Sequence, residues 1–309
     1  MKRQIYIDVI KTIAIFQVVL FHCHLFDDNL FITAVISTPC PMFFAINGGL
    51  LLSKNRGYDY YVPKIFKILF LILFWGIVSN LLRILIIYPE PYSIKQCLLD
   101  VWNLRMGFCH HLWFLETMII LYMLYPLLET ITNKKKTLWI SFILISCFTI
   151  MGIRSVFKSF NPIVGWNYNW ALAYAVGGYV LLQIRVKYRW IPFFTFCIAI
   201  LAQTMYNYHN NYDDKAFAGQ LSPFILVATL SLIKFFSMID WRECAIIKFI
   251  SANSMGIYLI HWSMSVYVMA QNYTTPFRYL TPILIIIVSS AICWLMNKNK
   301  ITRTLISMN

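Results

Sequence analysis

Lys11 and His22 are the first residues of this 309-residue chain whose types and spacing allow chemistry. At about 100° and 1.5 Å per residue, the eleven-residue step leaves the two side chains offset by only about 20° and separated by roughly 16 Å along a helix. One helix face thus carries an ammonium near one end and an imidazole near the other. A neutral imidazole takes a proton from a hydroxyl near pH 7 as general base, or accepts an acyl group as nucleophile, and the spacing does not separate these roles. Asp8, three residues before Lys11, is placed to pair with it. A second group is His110-His111-Leu112-Trp113-Phe114-Leu115-Glu116, with Arg83 and His261 elsewhere in the chain. A third is the basic set Lys54, Arg56, Lys64 and Lys67, expected in a loop, in which Lys64 and Lys67 share one helical face. A lysine ammonium is a good point-charge partner for phosphate.

The elements that carry these residues are membrane helices. The chain is 60% hydrophobic and 12% charged, against about 25% charged in a soluble domain. That composition excludes an ordinary soluble enzyme, a disordered chain and a collagenous one. Apolar runs of about 17–25 residues read as membrane spans. Ten are expected, at 5–26, 31–52, 66–88, 112–131, 137–153, 167–183, 191–207, 220–237, 248–270 and 276–296. The expected fold is therefore all-α and polytopic, a single transmembrane domain over residues 1–309 with no separate soluble domain.

The net charge of +14, from 26 Lys+Arg against 12 Asp+Glu, needs no nucleic-acid partner. With the N-terminus in the cytoplasm, 18 basic residues fall in inside segments, 6 in outside segments and 2 within spans. This asymmetry predicts both termini inside. Met1-Lys2-Arg3 resembles the basic start of a signal peptide, but Asp8 and Lys11 interrupt the apolar run and no small-x-small cleavage site follows.

Ionisable groups at membrane depth are expensive and mark function by default. In the ten-span topology His22, Arg83, His111, Glu116 and His261 all fall in the outer leaflet. His24, about 200° round the helix from His22, belongs to the surface. Pro39 and Pro41 predict a kink in the second span, and Asn47-Gly48-Gly49 predicts close packing or backbone access to a ligand. Cys97 and Cys109 share an outer loop and can pair. No His/Cys/Glu spacing typical of metal ligands occurs, so no metal is expected, and no GxSxG nucleophile element is present.

Four stretches together resemble the membrane acyltransferase-3 family. Tyr6-Ile7-Asp8-Val9-Ile10-Lys11, ten residues, then His22 is similar to its first-helix signature. Pro41-Met42-Phe43-Phe44-Ala45-Ile46-Asn47-Gly48 resembles its FFxxSG helix, His111-Leu112-Trp113-Phe114-Leu115 its HLWFL element, and Ser254-Met255-Gly256-Ile257-Tyr258-Leu259-Ile260-His261 its SxxIYLxH element. The stretches occur in the family's order across essentially the whole chain. Lys11 stands where the family usually has Arg, Lys64-x-x-Lys67 where it has RxxR, and Asn47 where Ser is common. Lysine keeps the charge but loses the bidentate fork.

The resemblance implies O-acyl transfer, usually of acetyl from cytoplasmic acetyl-CoA, with no metal. The acceptor it implies is a sugar hydroxyl of a surface polysaccharide (O-antigen, capsule or exopolysaccharide) or its lipid-linked precursor, and the location a bacterial inner membrane. It carries the essential pair to Lys11 and His22, and donor binding to Lys64 and Lys67 together with Lys11. Glu116 is expected to orient His22 or hold the acceptor. Supporting or substrate-contacting roles fall to Asp8, Arg83, His111, Trp113, Tyr258 and His261. The alternative is a translocator of polysaccharide or lipid carrier, which would use the same polar path without consuming acetyl-CoA.

Overall fold

The computed structural model describes residues 4–82, 95, 110–132, 168–209, 219–270 and 276–308. The expected span at 137–153, Arg83, Cys97 and Cys109 lie outside the described residues. Within them the fold is all-α. Its helices are α1 (Ile5–His22), α2 (Leu30–Val35), α3 (Pro39–Leu51), α4 (Tyr58–Leu82), α5 (Trp113–Thr132), α6 (Tyr168–Gln183), α7 (Trp190–His209), α8 (Pro223–Ser237), α9 (Ala245–Ala252), α10 (Ser254–Ala270), α11 (Thr281–Met296) and α12 (Lys300–Thr304). Among the described residues, four stretches are long and apolar enough to cross a membrane, Ile5–His22, Leu30–Leu51, Tyr58–Leu82 and Arg278–Met296. Large apolar side chains also point outward, among them Phe66 and Leu73 on α4, Ile198 and Met205 on α7, and Leu284 and Ile287 on α11. Water would penalise such a surface, whereas a lipid solvent accepts it.

Helix α1 lies at the centre, against α3, α8, α9, α10 and α11. Ile7, Ile10, Ala14, Ile15 and Val18 are buried in these contacts.

The expected second span is two helices. Pro39 and Pro41 do not kink a continuous helix; Pro39 starts a new one, at the first helical position, where a missing N–H costs nothing. The intervening hydroxyls turn back on α2, Ser37 Oγ donating to the Thr33 carbonyl and Thr38 Oγ1 to the Val35 carbonyl, each at 2.8 Å.

The third span starts at Tyr58, eight residues before its expected start at 66. Lys64 and Lys67 therefore sit on a helix and not in a loop. The cause is remote in sequence. The buried Glu129 carboxylate of α5 accepts from the Arg56 N–H at 2.8 Å, the Gly57 N–H at 3.1 Å and the Tyr61 hydroxyl at 2.5 Å. It thereby fixes the chain entering α4, where a helix leaves its first N–H groups without internal partners. Glu129→Gln is expected to cost roughly 1–3 kcal/mol by weakening these bonds, read as a lower unfolding midpoint in detergent.

The run at 248–270 is likewise divided, into α9 and α10, at Asn253. Its side chain donates to the Phe249 carbonyl at 2.8 Å and accepts from Asn297 Nδ2 at 2.7 Å.

Candidate active site

Three imidazoles and one indole meet at the end of α1. The His22 ring centre lies 5.3 Å from that of His261 and 4.8 Å from that of Trp262. His111 lies 5.7 Å from His261 and stacks on Trp262 at 5.2 Å with an interplanar angle of 17°. The four rings arrive on three supports. His22 ends α1. His111 sits in the short 3-10 turn His110–Leu112 that leads into α5, and His261 and Trp262 are successive residues of α10. His111 and His261 are buried, whereas His22 is half-buried.

Tyr258 ties two of these supports together. Its hydroxyl donates to the His111 backbone carbonyl, and its own carbonyl lies 2.6 Å from His261 Nδ1. A carbonyl can only accept, so His261 Nδ1 carries the proton and Nε2 presents a lone pair. That Nε2 is buried without a hydrogen-bond partner among the described residues.

A cavity of about 400 Å³ runs along α1 towards this cluster. Asp8, Lys11 and Val18 line it from α1, opposite Phe43, Ile46 and Asn47 of α3 and Leu115, Met118 and Tyr122 of α5. Tyr258 is also in its wall, so the residue that organises the imidazoles borders the cavity. His22 stands one turn beyond Val18 on the same stripe of α1, which continues the line of Lys11 and Val18. At the Lys11 end, Asp8 Oδ1 accepts from Ser251 Oγ at 2.6 Å. The sequence expectation gave Asp8 only Lys11 as partner; both line the cavity, and Ser251 is an additional partner on α9. Asn47 Nδ2 donates to the Tyr122 hydroxyl at 3.2 Å.

The basic set divides into two. The Arg56 guanidinium carbon and the Lys64 ammonium lie 4.0 Å and 4.9 Å from the centre of the Tyr60 ring, a placement that the ring quadrupole favours. Lys67 instead donates to the Thr304 carbonyl, and Trp75 Nε1 donates to the Leu305 carbonyl at 2.7 Å. These contacts hold the segment after α12 against α4. Its residues Ile306, Ser307 and Met308 form part of the cavity wall beside Lys11. Gly256 faces both Cys293 of α11 and this segment, since a Cβ there would lie 2.6 Å from Cys293 Sγ and 3.1 Å from Ile306 Cβ.

Of the residues singled out from sequence, His22, His111, Tyr258 and His261 come together, and Asp8 and Lys11 share the cavity leading to them. Glu116 is half-buried and, among the described residues, lies neither in the cavity wall nor in a ring contact with His22. Its neighbours Leu115 and Met118 face the cavity instead. Trp113 packs with Trp170 at 5.7 Å and Phe44 at 6.4 Å. His24 is at the surface, 2.8 Å from the Asp27 carboxylate.

Sequence reasoning missed Trp262, Ser251, Glu129 and the segment around Leu305–Met308. Trp262 carried one local signal, its adjacency to His261. The others make contacts with residues far away in the chain.

Among the described residues, an all-helical bundle with membrane-length helices holds a cluster of imidazoles near a mostly apolar cavity that carries Asp8, Lys11 and Asn47 in its wall, which is the architecture of an integral membrane protein with a candidate active site. A family model described as an acyltransferase domain, that of the acyltransferase-3 family, matches residues 4–298, and the chain belongs to that family. No curated protein and no solved structure matches it.

Proposed function

We propose that this membrane acyltransferase moves an acetyl group from cytoplasmic acetyl-CoA to a sugar hydroxyl of a surface polysaccharide or its lipid-linked precursor in a bacterial inner membrane. The observation that carries the reading is the continuous stripe of α1, in which Lys11 and Val18 line one cavity and His22 follows one turn on. Ten spans with both termini in the cytoplasm put Lys11 towards the donor side and His22 towards the acceptor side, in keeping with the excess of inside Lys and Arg.

In this reading Lys64 and Lys67 attract the donor's phosphates, and the thin pantetheine arm enters past Lys11. His22 takes the proton from the acceptor hydroxyl as its oxygen attacks the thioester carbonyl carbon. The carbon–sulfur bond breaks, and the departing thiolate recovers that proton from His22. Acyl transfer conserves electrons, so no redox partner is required.

The test supplies acetyl-labelled acetyl-CoA to membranes containing the protein and counts label in the glycan fraction. Label above that of protein-free membranes is the expected result. No label from any acyl donor, with glycan export dependent on the protein, would replace this reading with translocation. Within the same assay Lys11→Met is expected to reduce the rate at limiting donor by at least about tenfold, the loss that accompanies removal of one charge-assisted contact.

A further inference from the structure

The proton-transfer reading uses His22 and leaves a second imidazole unexplained. His261 is fully buried, and its Nδ1 proton is already committed to the Tyr258 carbonyl at 2.6 Å. That bond sets the tautomer and leaves Nε2 as an acceptor, buried and, among the described residues, without a hydrogen-bond partner. Leaving such an acceptor unpaired is costly, so its retention in a cavity-end cluster calls for a donor that arrives during function. The His22 ring is 5.3 Å away, centre to centre, tilted by 40°. A linear N–H···N bond between two imidazoles places their centres about 5 Å apart. The separation of the ring centres is therefore compatible with a hydrogen-bonded pair once the rings turn into line. Catalytic hydrogen bonds commonly reach their final geometry when substrate binds.

We propose that His261 is the positioning residue for His22. Its Nε2 accepts the N–H of the His22 ring, which leaves the other His22 nitrogen unprotonated and aimed at the acceptor hydroxyl. This rests on His22 being the base of the acyl transfer proposed above. When His22 gains the hydroxyl proton its ring becomes an imidazolium, and the bond to His261 stabilises it. The proton then leaves from the same His22 nitrogen to the thiolate, and His261 keeps its own proton throughout. The logic is that of an orienting partner in a catalytic triad, with a neutral histidine in place of a carboxylate.

Two substitutions at one position separate positioning from packing. The Asn amide nitrogen matches Nδ1 and can keep the bond to the Tyr258 carbonyl, but offers nothing at Nε2. The Gln amide oxygen reaches the Nε2 position and can accept from His22. Label-transfer kinetics are measured with acetyl-CoA for wild type, His261→Ala, His261→Asn and His261→Gln, with equal folded protein verified by gel filtration in detergent. The expected result is a fall in kcat of about 10²-fold for Ala and Asn, with KM for acetyl-CoA within about twofold of wild type, and recovery by Gln of at least about tenfold over Asn. Asn equal to or better than Gln, or Ala within about threefold of wild type, overturns the inference; if Ala fails to fold, the comparison of Asn with Gln still decides. Absence of transfer by the wild type itself would be a different failure, that of the acyltransfer reading, and would remove the His22 role with it.

Discussion

Replacing His22 with alanine is expected to lower acyl transfer by about 10²–10⁴-fold, the contribution of a positioned general base. The protein should still fold. His22 is half-buried at the last turn of α1, and its ring packs edge-on with those of Phe21 and Trp262 and tilted against that of His261. Its loss removes no helix cap and opens no central cavity. The measurement is the initial rate of label entry into glycan at saturating acetyl-CoA, with equal amounts of each protein in the membrane. A loss smaller than about tenfold would place the base on another group of the cluster, and His111 would then be the imidazole to replace next. His22→Ala should act at all donor concentrations, whereas Lys11→Met should be most severe when donor is limiting. That contrast follows from their separate places along the same helix face, one at the cluster and one in the cavity wall.

The second large effect concerns assembly. A Cβ on Gly48 would lie 2.1 Å from the Ala175 carbonyl oxygen, and one on Gly178 would lie 2.1 Å from the Ala45 carbonyl oxygen. Both obstacles are backbone, so no side-chain rotation relieves them. Small residues let α3 and α6 approach this closely, as is usual where membrane helices must gain dispersion contacts without help from the hydrophobic effect. Gly48→Val and Gly178→Val are each expected to cost more than about 4 kcal/mol, the upper end of single-residue effects, and to abolish recovery of monodisperse protein in detergent. Because Phe43, Ile46 and Asn47 on α3 line the cavity, any surviving protein should also lose transfer activity. Gly57→Ala is the contrast. Among the described residues nothing lies within 4 Å of a Cβ there, so what opposes the change is its φ of +67°. The expected cost is about 1 kcal/mol, too little to prevent isolation. Equal recovery of all three variants would contradict the close packing of α3 on α6.

How far the site was legible depends on the range of the interactions involved. The alignment of Lys11 with His22 follows from helix periodicity alone, and the His111 and His261 motifs could be read as they stand. Their meeting round Trp262 could not, because α1, the His110–Leu112 turn and α10 are brought together by packing. In lipid, both the inner and outer faces of a helix are apolar, so the polar–apolar pattern that orients a soluble helix is weak. Glu116 shows the consequence. Its place near the expected depth of His22 suggested a partnership, but depth along the bundle says nothing of direction round it.

Element ends divide in the same way. Pro39 announced a disturbance in the second span by its missing N–H, but whether the result was a kink or two helices depended on the hydroxyls of Ser37 and Thr38. The early start of α4 depends on Glu129, 72 residues further on than Gly57. By composition and periodicity the sequence determined a helical membrane protein with a cation and an imidazole on one face of its first helix. Its motifs pointed to the acyltransferase family. The tertiary structure decided which face of α5 lines the cavity, which part of the basic set stays beside Tyr60, and how the segment after α12 completes the wall beside Lys11. Those outcomes rest on backbone carbonyls and buried polar atoms finding partners across the bundle, and such pairings leave no periodic trace in a single chain.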